Sequence, residues 1–172
     1  LDTTESAFYL YGDNLSDDLN MFLKHQVNGL APEATYRVAL NVAFATEAPS
    51  DCAGVGGAPG EAVTVHAAAS EKEPKRIVDE STSQPYYRLS FVVDYEGQQN
   101  WYKASQLGDI GNSRQCEQEP KFKYKRLESH SSHWTVETDS VGRAWIYVGT
   151  RSGFEATTSL YYTEVQAVFR KE

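Results

Sequence analysis

The chain has 172 residues, 40% hydrophobic and 23% charged, with a formal net charge of −8. That length fits one domain able to bury its own core, and the composition is that of globular material rather than a disordered tail. The negative charge opposes a general nucleic-acid binder, and no apolar run is long enough for a membrane-spanning helix, so neither kind of partner is expected.

Eleven Tyr, seven Phe and three Trp stand beside one Met, a bias that suits half-buried pleated sheet. Alternation with period two is the main signal. It predicts strands at Ala7 to Tyr11 and at Asn20 to Val27. The second could instead start as a helix at Ser16, with Leu15, Leu19, Phe22 and Leu23 as its stripe. The clearest strand is Thr35 to Thr46, with Tyr36, Val38, Leu40, Val42 and Phe44 on one face. Further strands are predicted at Ala62 to Ala68, Tyr86 to Asp94, Phe122 to Leu127, His133 to Thr138 and Ala144 to Val148. Ser159 to Phe169 closes the chain, with Tyr161, Val165, Ala167 and Phe169 on a shared face. Trp134 and Trp145, both on strands, read as core. Turn signals separate the runs, among them Asp13-Asn14, Asn28-Gly29, Glu96-Gly97 and Val141-Gly142. Two stretches read as long irregular loops, Glu47 to Glu61 and Gly97 to Pro120, and such loops are often functional. About nine strands with little helix predict an all-β chain: one antiparallel two-sheet sandwich of jelly-roll type spanning residues 1–172.

Cys52 and Cys116 each lie in a loop-like stretch rich in Gly, Ser or Pro. An even number of loop cysteines predicts a disulfide and an oxidising compartment, so the expected location is secreted or periplasmic. The alternative is a pair of free thiols in a cytosolic protein. A first residue other than Met fits a processed secretory chain, and equally one trimmed for expression.

The run Val27-Asn-Gly-Leu-Ala-Pro-Glu-Ala-Thr-Tyr36-Arg-Val-Ala-Leu40 resembles a piece of the galactose-binding-like and carbohydrate-binding-module jelly rolls. There a strand ends in a Gly-Leu-x-Pro turn and a Tyr opens the next. In physical terms Leu30 plugs the sandwich end, Pro32 fixes the turn and Tyr36 caps the core. Thr157 to Phe169 resembles the closing strand of the same modules, with Glu164 as its acidic residue. The whole chain also resembles uncharacterised bacterial secreted proteins. The first resemblance implies a non-catalytic extracellular binding module, with carbohydrate as the leading ligand.

Several patterns bear on chemistry. Gly54-Val-Gly-Gly-Ala-Pro-Gly60 lacks the Lys and following helix of a phosphate cradle, so it reads as a tight loop beside Cys52. Asp13, Asn14, Asp17 and Asp18 offer hard oxygen ligands without the spacing of an EF-hand. By the resemblance, a structural Ca²⁺ would be held by Glu5, Asp13 and Glu164; a solvated acidic turn is the plainer alternative. His130 and His133 straddle a turn and do not make a zinc motif. No Gly-x-Ser-x-Gly elbow is present, and a carboxylate pair for glycoside hydrolysis is not identifiable among 24 acidic residues. Lys121, Lys123 and Lys125 alternate with Phe122 and Tyr124, as in an exposed edge strand guarded by Lys.

Sugar rings present apolar faces that stack on flat side chains, while polar neighbours bond the hydroxyls. Trp101 and Tyr102, beside Asn100, have that composition, as does Phe154 between Arg151 and Glu155. The expected ligand site is therefore Asn100, Trp101, Tyr102, Arg151, Phe154 and Glu155. The other readings are a structural or cell-surface protein-interaction module, of unknown oligomeric state, and a small glycoside hydrolase.

Overall fold

The computed structural model describes residues 6–15, 18–81, 83–90, 92–93, 103–129 and 134–172. Among these the chain forms twelve strands and no helix. They are β1 (Phe8–Asp13), β2 (Leu19–Val27), β3 (Thr35–Thr46), β4 (Val63–Ser70), β5 (Arg76–Asp79), β6 (Tyr86–Leu89), β7 (Val92–Val93), β8 (Lys103–Asp109), β9 (Lys123–Glu128), β10 (Trp134–Glu137), β11 (Ala144–Ser152) and β12 (Thr157–Lys171).

Two sheets carry the fold. Sheet A runs β1-β12-β3, and β9 and β10 both lie along the far side of β3, at its two ends. Sheet B runs β2-β11-β4-β8-β7. The antiparallel pairs nest: β1 with β12, β2 with β11, β3 with β9 and β10, and β4 with β8. This is one long hairpin rolled into two sheets, the jelly-roll arrangement that the sequence predicts. Between β4 and β8 the chain makes a separate hairpin, β5-β6.

The core lies between the sheets. Val38, Leu40, Val42 and Phe44 of β3 are at most 1% exposed and meet Val63, Val65 and Ala67 of β4 and Ile146 and Val148 of β11. Burying each such Val, Leu or Phe contributes about 1.5–3 kcal/mol, enough to fix which face of β3 turns inward. Leu30 packs onto the end of this core, and the Tyr36 hydroxyl accepts a hydrogen bond from the Ala31 amide at 2.9 Å. The Gly-Leu-x-Pro turn and the Tyr that follows are thus tied to one another.

Four expectations need correction. Tyr161 does not share a face with Val165, Ala167 and Phe169. A β-bulge between Tyr162 and Glu164 adds one residue, so the parity of facing changes there. Tyr162 turns into the core, Tyr161 and Glu164 turn out, and Val165, Ala167 and Phe169 pack inward. Second, the predicted loop Gly97 to Pro120 contains β8. Its strand is hard to read because Lys-Ala-Ser-Gln-Leu-Gly-Asp is mostly small or polar, and a register shift opposite Val65 and His66 breaks its alternation. Third, the segment from Tyr86 is not one strand. Ser90 ends β6 by exchanging two bonds with Lys75, and Tyr86 and Tyr87 stay exposed on the hairpin. Fourth, Trp134 is buried, but Trp145 is half-buried on the outer face of sheet B with the Lys24 ammonium 5.7 Å from its ring.

Candidate binding face

The four loops joining β1 to β2, β3 to β4, β8 to β9 and β11 to β12 gather at one end of the sandwich. Cys52 and Cys116 form a disulfide that joins the second and third of these. A disulfide is compatible with an extracellular or periplasmic location. Buried polar side chains tie the same loops. Asn14 donates to the carbonyls of Ser152 and Phe154, and Asn112 to those of Thr46 and Lys121. The buried Arg114 guanidinium donates to the carbonyls of Glu47, Gln115 and Gln118. Loop carbonyls without ladder partners are satisfied this way, and the end is rigidified.

This end also holds Arg151, near the end of β11, and Phe154 and Glu155 in the loop that follows it. Each is engaged in structure. Arg151 makes an ion pair with Asp18, with Nη2 to Oδ1 at 2.5 Å. The Phe154 ring sits on Gly54, where a Cβ would come within 2.6 Å of it. The Glu155 amide donates to the Val55 carbonyl. Gly54 is therefore needed because an aromatic ring occupies the place of its side chain. Asn100, Trp101 and Tyr102 lie outside the described residues, as do Glu5, His130 and His133.

Of the expected calcium ligands, Asp13 and Glu164 are not brought together. Asp13 ends β1 opposite Thr157 and accepts hydrogen bonds from the hydroxyls of Thr157 and Tyr11. Glu164 lies seven residues further along the β12 strand, about 23 Å away at the rise of an extended chain. It pairs with Arg126. Among the described residues no group of three or more His, Cys, Asp or Glu could hold a metal ion. The Lys-rich strand also differs from the expectation of a plain edge guard. β9 is an edge strand of sheet A, but Lys125 crosses to sheet B and binds Asp109 Oδ1 at 2.7 Å and the Gly111 carbonyl at 2.8 Å.

The outer face of sheet A carries a feature that local sequence does not show. Register places Tyr9 of β1 opposite Tyr161 of β12, Tyr161 opposite Ala45 of β3, and Ala45 opposite Tyr124 of β9. Three tyrosines and one alanine thus form a single row across four strands, about 14 Å from first to last at the ordinary strand spacing. Tyr9 and Tyr124 are 53% and 55% exposed. The rings of Tyr9 and Tyr161 stack at 4.6 Å, and Phe122 meets Tyr161 edge-on at 5.2 Å. Tyr11, also exposed, adds a further ring 6.3 Å from Tyr9. Ala45 and Ala43 are the low floor between the rings; a larger residue at either would fill it.

The next rows are polar. Arg126 and Glu164 pair over Ala43, with Nη2 to Oε2 at 2.5 Å. One row on, Asn41 donates to Gln166 Oε1 at 3.1 Å and lies opposite Glu128. The face is thus an aromatic platform continued by amide, guanidinium and carboxylate groups at the two-residue repeat of a strand.

The displaced pKa values lie elsewhere. Hydrogen bonds from the side chain and backbone of Ser81, then from Arg88, hold Asp79 down to about 2. Lys24 and then Lys75 lower Glu73. Burial pushes the hydroxyls of Tyr147 and Tyr162 well above the usual tyrosine range. Among the described residues no helix is long and apolar enough to cross a membrane.

Compared with known proteins, the chain matches no family model, and no curated protein or solved structure matches it either.

Proposed function

We propose that the protein is a non-catalytic extracellular module that binds carbohydrate on the outer face of sheet A. The observation that carries this reading is the row Tyr9, Tyr161 and Tyr124, which holds aromatic surface in solvent across an otherwise complete sandwich. Sugar rings stack on such surfaces through their apolar faces. Arg126, Glu164, Asn41, Gln166 and Glu128 lie on the adjoining rows and supply donors and acceptors for hydroxyls. A chain of sugars lying along the strands meets the platform first and the polar rows next. Secretion fits this reading, since the loop disulfide persists in an oxidising compartment.

The test is a glycan-array screen in Ca²⁺ buffer, repeated with a chelator, on the wild type and on Tyr161→Ala. Binding to a coherent set of glycans that is lost in Tyr161→Ala supports the platform. Loss with chelator adds a structural Ca²⁺. Binding that survives in Tyr161→Ala but fails in Phe154→Ala moves the site to the loop end. Absence of glycan binding overturns the reading in favour of a protein-interaction module, and release of reducing ends from bound glycan overturns it in favour of a hydrolase.

A further inference from the structure

Both sheets end in open strands, and these edges are not alike. In sheet B, β2 carries Lys24 and His25, and β7 has only two residues. In sheet A, β9 carries Lys123, Lys125 and Arg126, and β10 is four residues long. Short length and charge, Lys above all, keep an edge from pairing again. β1 lacks these guards. Its run Phe8-Tyr9-Leu10-Tyr11-Gly12 is free of charge and of Pro, and its ladder with β12 has no bulge. Among the described residues its backbone pairs with β12 alone, so the amides and carbonyls along its other side have no backbone partner.

Such a row of alternating donors and acceptors is complementary to one kind of occupant, another extended strand. The side chains specify which strand, because β1 reversed about Leu10 matches itself. A two-fold axis through Leu10, perpendicular to the sheet, sets Tyr9 of each copy opposite Tyr11 of the other and Leu10 opposite Leu10. It also sets Phe8, which is 71% exposed, opposite Gly12. There Leu19 and Met21 of β2 fill the place of the missing side chain: a Cβ on Gly12 would lie 2.9 Å from the Met21 sulfur. The Phe8 ring of the second copy would therefore meet apolar atoms beside a position with no side chain of its own. Asp13, the first charged residue, falls opposite Ala7. Two copies thus meet here without opposed like charges, although each carries −8. Centring the pair on Tyr9 instead sets Phe8 against Leu10, and centring it on Tyr11 sets Tyr9 against the Asp13 carboxylate.

We propose that β1 is a homodimer interface, in which two copies pair edge to edge, antiparallel and centred on Leu10, so that the two A sheets become one continuous sheet. The pairing lies in the plane of the sheet and leaves the outer face with Tyr161 and Tyr124 open. The interface stands whether or not that face binds sugar.

Sedimentation velocity across micromolar concentrations should show exchange between a species of 19.2 kDa and one of twice that mass. Phe8→Lys changes a side chain that is exposed in the single chain, so circular dichroism should show the fold intact. It places an ammonium against Leu19 and Met21 of the other copy and should weaken the dimer at least about tenfold. Cross-linking reads the register. An oxidised mixture of Tyr9→Cys and Tyr11→Cys chains should give the mixed disulfide-linked dimer in preference to a dimer of either variant. In this register the mixed positions are directly opposite, whereas like positions are diagonal neighbours about 7–8 Å apart, beyond the usual reach of a disulfide. A protein that stays monomeric up to its solubility limit overturns the proposal. So does a dimer that Phe8→Lys leaves unchanged, or preferential linking of like positions.

Discussion

Tyr9 and Tyr161 face one another across the β1–β12 ladder with ring centroids 4.6 Å apart and planes 29° from parallel. Such a pair contributes about 0.5–1.5 kcal/mol beyond its buried area. Both rings nevertheless turn away from the core, so the fold keeps aromatic surface that its interior does not use. Tyr9→Ala separates the two roles. Stability should fall by about 1 kcal/mol, the cross-strand pair alone. Affinity for a bound glycan should fall about tenfold, or ~1.4 kcal/mol. Urea unfolding and titration on one sample measure both. A loss of stability with affinity intact would mean that the stack only holds β1 to β12.

Cys52 and Cys116 are 64 residues apart in sequence. In the chain-entropy view, closing a loop of that size restricts the unfolded chain and stabilises the fold by about 4 kcal/mol. Reduction should therefore lower the urea midpoint strongly without changing the sheet content. Arg114, Asn112 and Asn14 still tie the loop end in the reduced folded state. Glycan binding on sheet A should survive reduction below the new unfolding midpoint, because the platform is built on strands and not on the bridged loops. Loss of binding on reduction of a still-folded protein would place the site at the loop end.

Much of this fold is legible as alternation. Tyr36, Val38, Leu40, Val42 and Phe44 read as one face because each meets the opposite sheet, and all five are buried. Alternation is silent where pairing geometry, not residue type, decides. Nothing in the residues around Thr163 marks the bulge that turns Tyr161 outward. β8 is held by its ladder with β4, and its residues carry little apolar signal of their own. The platform is illegible for the same reason. Tyr9, Tyr124 and Tyr161 are far apart in sequence, and only strand order and register bring them into a row. Loop aromatics such as Phe154 are easy to notice by composition, yet the Phe154 ring is packed on Gly54.

Asp79 links the two strands of the β5-β6 hairpin through Arg88 Nε at 2.5 Å and caps the turn through the Ser81 amide. Its carboxyl titrates at about 2 in the fold, against about 3.9 in an unfolded chain. A depressed carboxylate pKa lends stability that is complete above about pH 4 and is lost as pH falls towards 2. The hairpin should therefore loosen in that window before the sandwich core does. Amide exchange at Val78 and Tyr87, followed from pH 5 to about pH 2, would show it. Asp79→Asn should give the loosened hairpin at neutral pH and remove its acid dependence. Unchanged exchange across the window would show that Arg88 and Ser81 are not what holds the hairpin.

Gly29 and Gly142 both adopt positive φ, +81° and +74°, in turns that meet at Leu30. They differ in their surroundings. A Cβ on Gly29 would find nothing within 4 Å, whereas one on Gly142 would lie 2.0 Å from the Leu30 carbonyl oxygen. That carbonyl belongs to backbone held from the other side: the Leu30 amide donates to the Gly142 carbonyl and the Gly142 amide to that of Asp139. Gly29→Ala should therefore cost only the left-handed conformation, about 1–2 kcal/mol. Gly142→Ala adds displacement of a hydrogen-bonded backbone and should cost clearly more, at least about 1 kcal/mol beyond Gly29→Ala. Urea midpoints for the two variants measure the difference. Equal losses would mean that the 139–143 turn moves freely away from Leu30, and that the Gly-Leu-x-Pro turn is held by the Tyr36 hydroxyl rather than by this close backbone approach.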